Sequence, residues 1–180
     1  MLIGAAAAEG VTAIMPVPRY RAWVVGAVCG LLPDIDYGYR LLTGEFASIE
    51  RSATHSLLAT AVVVLAVWLV VGGRWAAVAG AGYASHLLAD LMQHQQRSSV
   101  ALFWPLQERG MEPLVPLFPY VPLQRGDGVL GAVRGLLRDH SFGPLLQETA
   151  IAAGIFFAML VLTGWIRARH PGNAAPEPPC

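Results

Sequence analysis

The chain reads His86-Leu-Leu-Ala-Asp90-Leu-Met-Gln-His94 at the end of an apolar segment that begins at Trp75. A histidine, a carboxylate and a second histidine therefore stand at i, i+4 and i+8. Because an α-helix has about 3.6 residues per turn, these three groups share one helix face. Ionisable side chains at membrane depth are costly and persist mainly where they pair, line a wet cavity or hold a metal. The stretch predicts a membrane helix that carries a metal site.

The composition points to a membrane protein. Of the 180 residues, 55% are hydrophobic and only 13% are charged, whereas soluble domains have about 25% charged residues. The formal net charge is zero, which argues against direct nucleic-acid binding through a basic surface. The two cysteines, Cys29 and Cys180, are far apart and provide neither a disulfide framework nor a Cys-based zinc motif. We therefore expect the lipid bilayer to be the main partner.

Apolar segments predict an all-α, polytopic membrane helix bundle of about four to five transmembrane helices. The strongest segments are Ala53–Gly73, Trp75–Met92 and Thr149–Ile166. Ala22–Leu32 is shorter, and prolines at 16 and 18 separate it from the N-terminal apolar run, so residues 1–32 are expected to form a hairpin of two short helices.

The rest of the chain is more polar. Prolines make Trp104–Leu123 a long extended loop, and Asp127–Arg138 is expected to form a short amphipathic helix at the interface. We divide the chain into an integral-membrane domain, residues 1–166, and a disordered polar tail, residues 167–180.

The order of the spans predicts which groups meet. If the spans alternate direction, the Pro33–Thr54 loop and the Leu91–Glu148 region lie on the same side of the membrane. Ionisable residues from separate parts of the chain then gather near one face, and these are Asp34, Asp36, His55, Asp90 and His94. Orientation stays open, because five arginines fall on the opposite side (Arg19, Arg21, Arg74, Arg167 and Arg169) and seven on the site's own side.

Each candidate also has an ordinary interpretation. Asp34 and Asp36 follow an apolar helix and could ligate a cation or simply cap a turn in a solvated loop. His55 follows Thr54, which we predict as a helix N-cap, and could equally be an interfacial residue. Arg51 could clamp a phosphate, orient a carboxylate or extend to the lipid headgroups.

His86 and Asp90 lie one turn apart inside an apolar helix, where Gly80 and Gly82 permit close helix approach. The alternatives are a hydrogen-bonded His–Asp pair without metal and, for His94, a surface position. A mixture of imidazole nitrogens and carboxylate oxygens fits zinc or manganese better than calcium, and more than four ligands would fit two ions bridged by a carboxylate. Such an ion lowers the pKa of bound water, which is the chemistry of ester and phosphoester hydrolysis.

Four ordered motifs carry a resemblance. They are LLPDID at Leu31–Asp36, RSATHSLL at Arg51–Leu58, GYASHLLAD at Gly82–Asp90 and LFWP at Leu102–Pro105. Over residues 2–106 the chain resembles a bacterial integral-membrane family named as metal-dependent hydrolases, or LexA-binding, inner-membrane-associated hydrolases. That family is distantly similar to zinc-dependent phospholipase C and P1 nuclease. The resemblance implies phosphoester hydrolysis, with Asp34, Asp36, His55, His86 and Asp90 as metal ligands and Arg51 as an accessory residue.

Two departures from the family pattern bear on the site. Glu50 stands where the family has a histidine, so Glu50 is a candidate ligand or general base. The family also carries a histidine ahead of an Ile-Gly-Ala-like run, which here begins at Met1; either the true start lies upstream or a ligand is lost, and His94 could compensate.

These observations favour a multi-pass hydrolase of the bacterial inner membrane that acts on an ester or phosphoester of a membrane-associated substrate. The expected metal ligands are Asp34, Asp36, His55, His86, Asp90 and His94, and the expected catalytic residues are Glu50 and Arg51. The alternative is a non-enzymatic membrane protein with a structural metal or a His–Asp network.

Overall fold

A computed structural model describes residues 1–35, 53–93, 100–107, 111, 115, 117–119 and 139–169. Within these ranges the chain is all-α, as expected, and forms five α-helices and no strand. The helices are α1 (Leu2–Ile14), α2 (Arg19–Cys29), α3 (Leu57–Val71), α4 (Gly73–Leu91) and α5 (Asp139–Arg169), and a 3-10 turn at Leu32–Asp34 follows α2.

The first two helices form the expected hairpin. Met15, the C-cap of α1, takes an extended conformation ahead of Pro16, and Pro18 is the N-cap of α2. A proline cannot donate the backbone hydrogen bond that a continuing helix requires, so the chain must turn here. The hairpin returns the end of α2 to the same end of the bundle as Met1.

The start of α3 differs from expectation. Ser56, not Thr54, is the N-cap, and its Oγ accepts a 3.1 Å hydrogen bond from the Ala59 backbone N–H. The Thr54 N-cap prediction was wrong because the Thr54 hydroxyl is engaged by the ring of His55 instead. His55 consequently lies in the turn before the helix rather than in its first turn.

Small residues let three helices approach closely. A Cβ placed on Gly26 of α2 would lie 2.5 Å from both the Gly4 carbonyl oxygen and the Ala8 Cβ of α1. A Cβ on Gly82 of α4 would meet the Gly26 carbonyl, and one on Gly80 would meet Val64 of α3. The close approach expected at Gly80 and Gly82 is therefore present. At Gly82 it brings α4 against α2, which in turn contacts α1, and at Gly80 it brings α4 against α3.

Several helices expose apolar surface. Among the described residues one helix is long and apolar enough to cross a membrane, namely the part of α5 at Phe142–Arg169. Only 11% of its most apolar 18-residue window is buried inside the protein. Leu2–Ile14 and Leu57–Val71 are apolar but shorter. Among the described residues only one of the four to five expected spans is therefore long enough to cross a membrane, and the expected number of spans is not confirmed. That helix continues through Arg169, so the first residues of the expected polar tail are helical.

Different elements meet at the two ends of the bundle. The end of α2, the start of α3 and the end of α4 meet at one end. The chain around Leu102 also lies there, since its carbonyl accepts the Leu57 N–H. At the other end are the α1–α2 and α3–α4 connections and the end of α5. The predicted helix Asp127–Arg138 and most of the Trp104–Leu123 loop lie outside the described residues.

Candidate metal centre

Four of the expected site residues converge at the first of these ends. Asp34 comes from the 3-10 turn after α2, in which the buried Pro33 stands directly before it. His55 comes from the turn before α3, and both His86 and Asp90 come from the last turns of α4. Because α2, α3 and α4 alternate in direction, residues distant in sequence meet at one point.

The distances between their polar atoms are similar. Nε2 of His55 lies 3.7 Å from Oδ1 of Asp34 and 3.3 Å from Oδ2 of Asp90. Nε2 of His86 lies 3.5 Å from Oδ1 of Asp34 and 3.6 Å from Oδ2 of Asp90. Both imidazoles thus face both carboxylates.

Three of these atoms are buried without a hydrogen-bond partner in the described part of the chain: Nε2 of His55, Nε2 of His86 and Oδ2 of Asp90. The His55 side chain is 2% exposed and that of Asp90 is 13% exposed. A buried polar atom that forms no hydrogen bond costs about 1–3 kcal/mol. Three such atoms pointing at one another indicate a missing common partner.

The spacing fits a divalent ion better than hydrogen bonds. N–H···O hydrogen bonds are about 2.7–3.2 Å long, which is shorter than all four distances. Ligand atoms about 2.0–2.2 Å from a tetrahedral zinc ion lie about 3.3–3.6 Å from one another. Asp34, His55 and His86 each offer an atom within 4.8 Å of the others. The donor set and its spacing therefore fit a divalent metal.

Neighbouring groups orient the His55 ring. The Nδ1 atom of His55 lies 3.1 Å from Oγ1 of Thr54, and the Tyr83 hydroxyl donates to the Thr54 carbonyl. Tyr83 is 2% exposed and belongs to α4. The turn that carries His55 is thereby tied to the helix that carries His86 and Asp90.

Asp34 is the most accessible member of the cluster, with its side chain 51% exposed. Burial by itself raises the pKa of Asp34, but the neighbouring imidazoles of His55 and His86 outweigh that effect and hold the pKa well below its usual range. Asp34 is therefore an ionised carboxylate at neutral pH, which is the state required of a metal ligand.

The cluster opens into a cavity of about 120 Å³. Its lining includes Asp34, His86 and Asp90, and also Met1 and Glu148. A single water molecule needs only about 10–15 Å³ of cavity volume. The cavity therefore has room for an ion together with water or a small ligand group. Sequence reasoning missed Glu148. The feature of the sequence that could have indicated Glu148 is a carboxylate in an apolar helix that carries no further charged residue before Arg167.

Four other expected site residues lie outside the described residues: Asp36, Glu50, Arg51 and His94. Their roles as ligands or catalytic groups stay predictions.

Comparison with known proteins gives one family. A family model described as YdjM inner membrane protein matches residues 1–170. The chain belongs to this family. No curated protein and no solved structure matches it. Membership in this inner membrane protein family agrees with the apolar composition, but it does not identify a reaction.

A second polar cluster lies at the opposite end of the bundle. Glu9 of α1 is fully buried and accepts hydrogen bonds from Arg19, Trp23, Thr163 and Arg167. Its contacts with Arg19 Nη2 and Arg167 Nη1 are 2.7 and 3.1 Å long. This cluster joins α1, α2 and α5. Because both carboxylate oxygens of Glu9 accept hydrogen bonds, it leaves no free ligand atom for an ion.

Proposed function

We propose that this chain is a multi-pass inner-membrane hydrolase that uses one or two divalent metal ions, zinc or manganese, to cleave an ester or phosphoester of a membrane-associated substrate. The observation that carries the proposal is the set of buried, unpartnered atoms on His55, His86 and Asp90 at ligand-to-ligand spacing. Family membership supports the inner membrane as its location.

The residues have separate parts in this proposal. Asp34, His55, His86 and Asp90 hold the first ion, and Asp36 and His94 are further candidate ligands. A bound divalent ion lowers the pKa of water and polarises the bond to be cleaved. Arg51 steadies the negative charge that develops on the substrate, and Glu50 is a ligand or a general base. The cavity beside the cluster admits the substrate group.

Elemental analysis of the purified protein tests the metal site. The wild type should contain about one ion or more per chain, and His86→Ala and Asp90→Ala should each lose it, because each leaves a gap in the ligand set. Ser85→Ala is the matched control: its hydroxyl lines the same cavity but already donates to the Gly82 carbonyl of its own helix. Wild-type protein without metal would end the proposal.

A hydrolysis screen separates an enzyme from a structural metal site. Metal-loaded protein is tested against generic phosphoesters, carboxylic esters and lipid phosphates. An enzyme should lose turnover in the His86→Ala and Asp90→Ala variants. A structural site predicts instead that metal removal lowers the melting temperature while no substrate in the panel is cleaved by any form.

A further inference from the structure

A surplus of positive charge lies at the end of the bundle opposite the candidate metal centre. All five arginines of the described ranges are found there, namely Arg19, Arg21, Arg74, Arg167 and Arg169. Glu9 is the one described carboxylate at this end. Trp75, next to Arg74, packs against the apolar cluster that includes Val17 of the α1–α2 connection. Positive charges gathered at one surface favour a partner of opposite charge.

Two of these arginines share a single carboxylate. Nη2 of Arg19 and Nη1 of Arg167 lie 2.7 and 3.1 Å from the same oxygen, Oε1 of Glu9. We call these two side chains the arginine pair. Its guanidinium groups lie close together because they contact one oxygen, and Glu9 supplies only one negative charge between them. One positive charge of the pair therefore has no counter-ion in the described part of the chain.

The arginine pair also has hydrogen-bond donors to spare. The side chain of Arg19 is 47% exposed and contacts Glu9 through Nε and Nη2, which leaves both N–H groups of Nη1 for another acceptor. Arg167 is 22% exposed and donates from Nη1 to Glu9 and from Nη2 to Thr12. A guanidinium has five N–H donors in a planar arrangement that matches the oxygens of a phosphate. The pair can thus accept a further anion at the protein surface.

The position of the pair fits the headgroup layer of a bilayer. Arg167 lies near the end of α5, whose apolar segment is long enough to cross a membrane and ends at Arg169. In the same last turns Trp165 is 52% exposed, and the Arg169 guanidinium lies 3.7 Å from the centre of its ring. Tyr20, beside Arg19 in α2, is 62% exposed. Exposed Trp and Tyr side chains at the end of a membrane helix are typical of the boundary between hydrocarbon and water.

We propose that the arginine pair binds the phosphate of an anionic phospholipid, such as phosphatidylglycerol. Basic pockets between membrane helices are a known type of site for anionic headgroups, and this pocket lies where α1, α2 and α5 meet. A zwitterionic lipid would bring its own cation toward the uncompensated charge and would bind more weakly. This site depends neither on the metal centre nor on hydrolysis.

Native mass spectrometry of the full-length protein in a neutral detergent tests the proposal. The probes are phosphatidylglycerol and phosphatidylcholine with the same acyl chains, which share the phosphate and differ in net charge. The wild type should bind its first phosphatidylglycerol about tenfold more tightly, roughly the effect of one hydrogen bond to a charged group. Inorganic phosphate in about tenfold excess should leave this lipid bound, because acyl chains hold the lipid at the interface.

Single charge removals decide whether the arginine pair is the site. Arg19→Gln and Arg167→Gln each leave Glu9 with one cation, so the buried carboxylate keeps a partner while the surplus charge is gone. Each should lower the affinity for phosphatidylglycerol about tenfold, to the level of phosphatidylcholine. Arg169→Gln is the matched control: it removes the same charge from the same helix end, but its guanidinium lies over Trp165 and not at Glu9. It should keep the wild-type preference.

Three results would overturn the proposal. Equal binding of the two lipids by the wild type would show that the surplus charge recruits no lipid. An equal loss in Arg169→Gln and in the arginine-pair variants would mean diffuse attraction without a site. Displacement of the lipid by inorganic phosphate would assign the pair to a soluble anion. The melting temperature of each variant without added lipid reports its folding, and because the two pair variants carry the same charge, either one that folds gives the comparison.

Discussion

At the scale of single residues, a hydrogen bond at Nδ1 leaves Nε2 as the nitrogen of His55 that faces the candidate ion. The Nδ1 atom lies 3.1 Å from the Thr54 hydroxyl oxygen, and Nε2 points to the carboxylates of Asp34 and Asp90. For Nε2 to bind a metal through its lone pair, Nδ1 must carry the proton and donate it to Thr54. Partners of this kind fix the ring and raise its basicity as a ligand.

Replacing Thr54 by valine tests this arrangement. The substitution keeps the shape of the side chain and removes the acceptor, so we expect metal affinity to fall about 10–100-fold, as is usual for such partners. Titration against a competing chelator measures the change. Thr60→Val is the control, because the Thr60 hydroxyl donates to the Ser56 carbonyl within α3 and does not contact the cluster. Equal affinity of the Thr54 and Thr60 variants would contradict the assigned tautomer.

At the scale of elements, the contact of α1, α2 and α4 depends on the absence of side chains. Gly26→Ala would bring a Cβ against the Gly4 carbonyl and the Ala8 side chain, both on α1. The backbone oxygen cannot move aside cheaply, so the helices must separate. We expect the free energy of unfolding to fall by about 1–3 kcal/mol, the usual cost of overpacking, together with weaker metal binding.

Gly154→Ala provides the matched control for this experiment. Nothing lies within 4 Å of a Cβ at Gly154, which is in the middle of α5. Since alanine is the better helix former by about 0.8–1.0 kcal/mol, this variant should be neutral or slightly more stable. Unfolding in detergent measures both variants, and an unchanged Gly26→Ala protein would mean that the helices do not pack through this glycine.

The ion cluster at Glu9 attaches α5 to the hairpin of α1 and α2. Apolar helices gain little from packing against one another in lipid, so polar contacts between them carry more of the association. Glu9→Ala would leave the guanidinium groups of Arg19 and Arg167 without their shared carboxylate. We expect the free energy of unfolding to fall by about 1.5–3 kcal/mol, the usual contribution of a hydrogen bond to a charged group, because Arg19 and Arg167 are partly exposed and are not left as fully buried charges.

Glu9→Ala should also disturb the candidate metal centre at the other end of the bundle, because α5 positions Glu148 in the cavity there. Protease accessibility of α5 and the melting temperature in detergent report the change. Arg21→Gln is the control, since Arg21 bonds only to the exposed Tyr20 hydroxyl among the described residues. A Glu9→Ala protein as stable as the Arg21 variant would show that the cluster does not hold the helix.

At the scale of the whole molecule, the alternating direction of the spans predicts that ionisable groups from separate parts of the chain meet at one end. The structure brings Asp34, His55, His86 and Asp90 together there, whereas the other predicted site residues lie outside the described residues. The prediction of Thr54 as the N-cap of α3 was wrong because two hydroxyl residues, Thr54 and Ser56, precede the helix. Only the three-dimensional position of His55, whose ring contacts the Thr54 hydroxyl, leaves Ser56 as the cap. The neighbours of Glu9 and Glu148 depend on how α5 packs, which no local pattern encodes.

The membrane placement of the bundle rests on exposed apolar surface as well as on helix length. No residue of α3 is buried, and Val70 is 82% exposed, so this helix has an apolar surface on every side, as lipid-facing helices do. With 15 residues, α3 is about 22 Å long, compared with a hydrocarbon core of about 30 Å. A helix this short can span if flanking residues extend it or if the bilayer thins locally.

Labelling of single cysteines distinguishes spanning from surface attachment. In a background in which Cys29 and Cys180 are replaced, we introduce Gly73→Cys at the α3–α4 turn, Ala168→Cys at the end of α5 and Leu106→Cys, which is 93% exposed at the site end. If α3, α4 and α5 all cross the membrane, a membrane-impermeant maleimide should label Gly73→Cys and Ala168→Cys from one side and Leu106→Cys from the other. Intact spheroplasts and inverted vesicles give the two sides. Labelling of Gly73→Cys and Leu106→Cys from the same side would mean that α3 and α4 do not cross, and the candidate metal centre would then belong to a surface-attached bundle held by α5 alone.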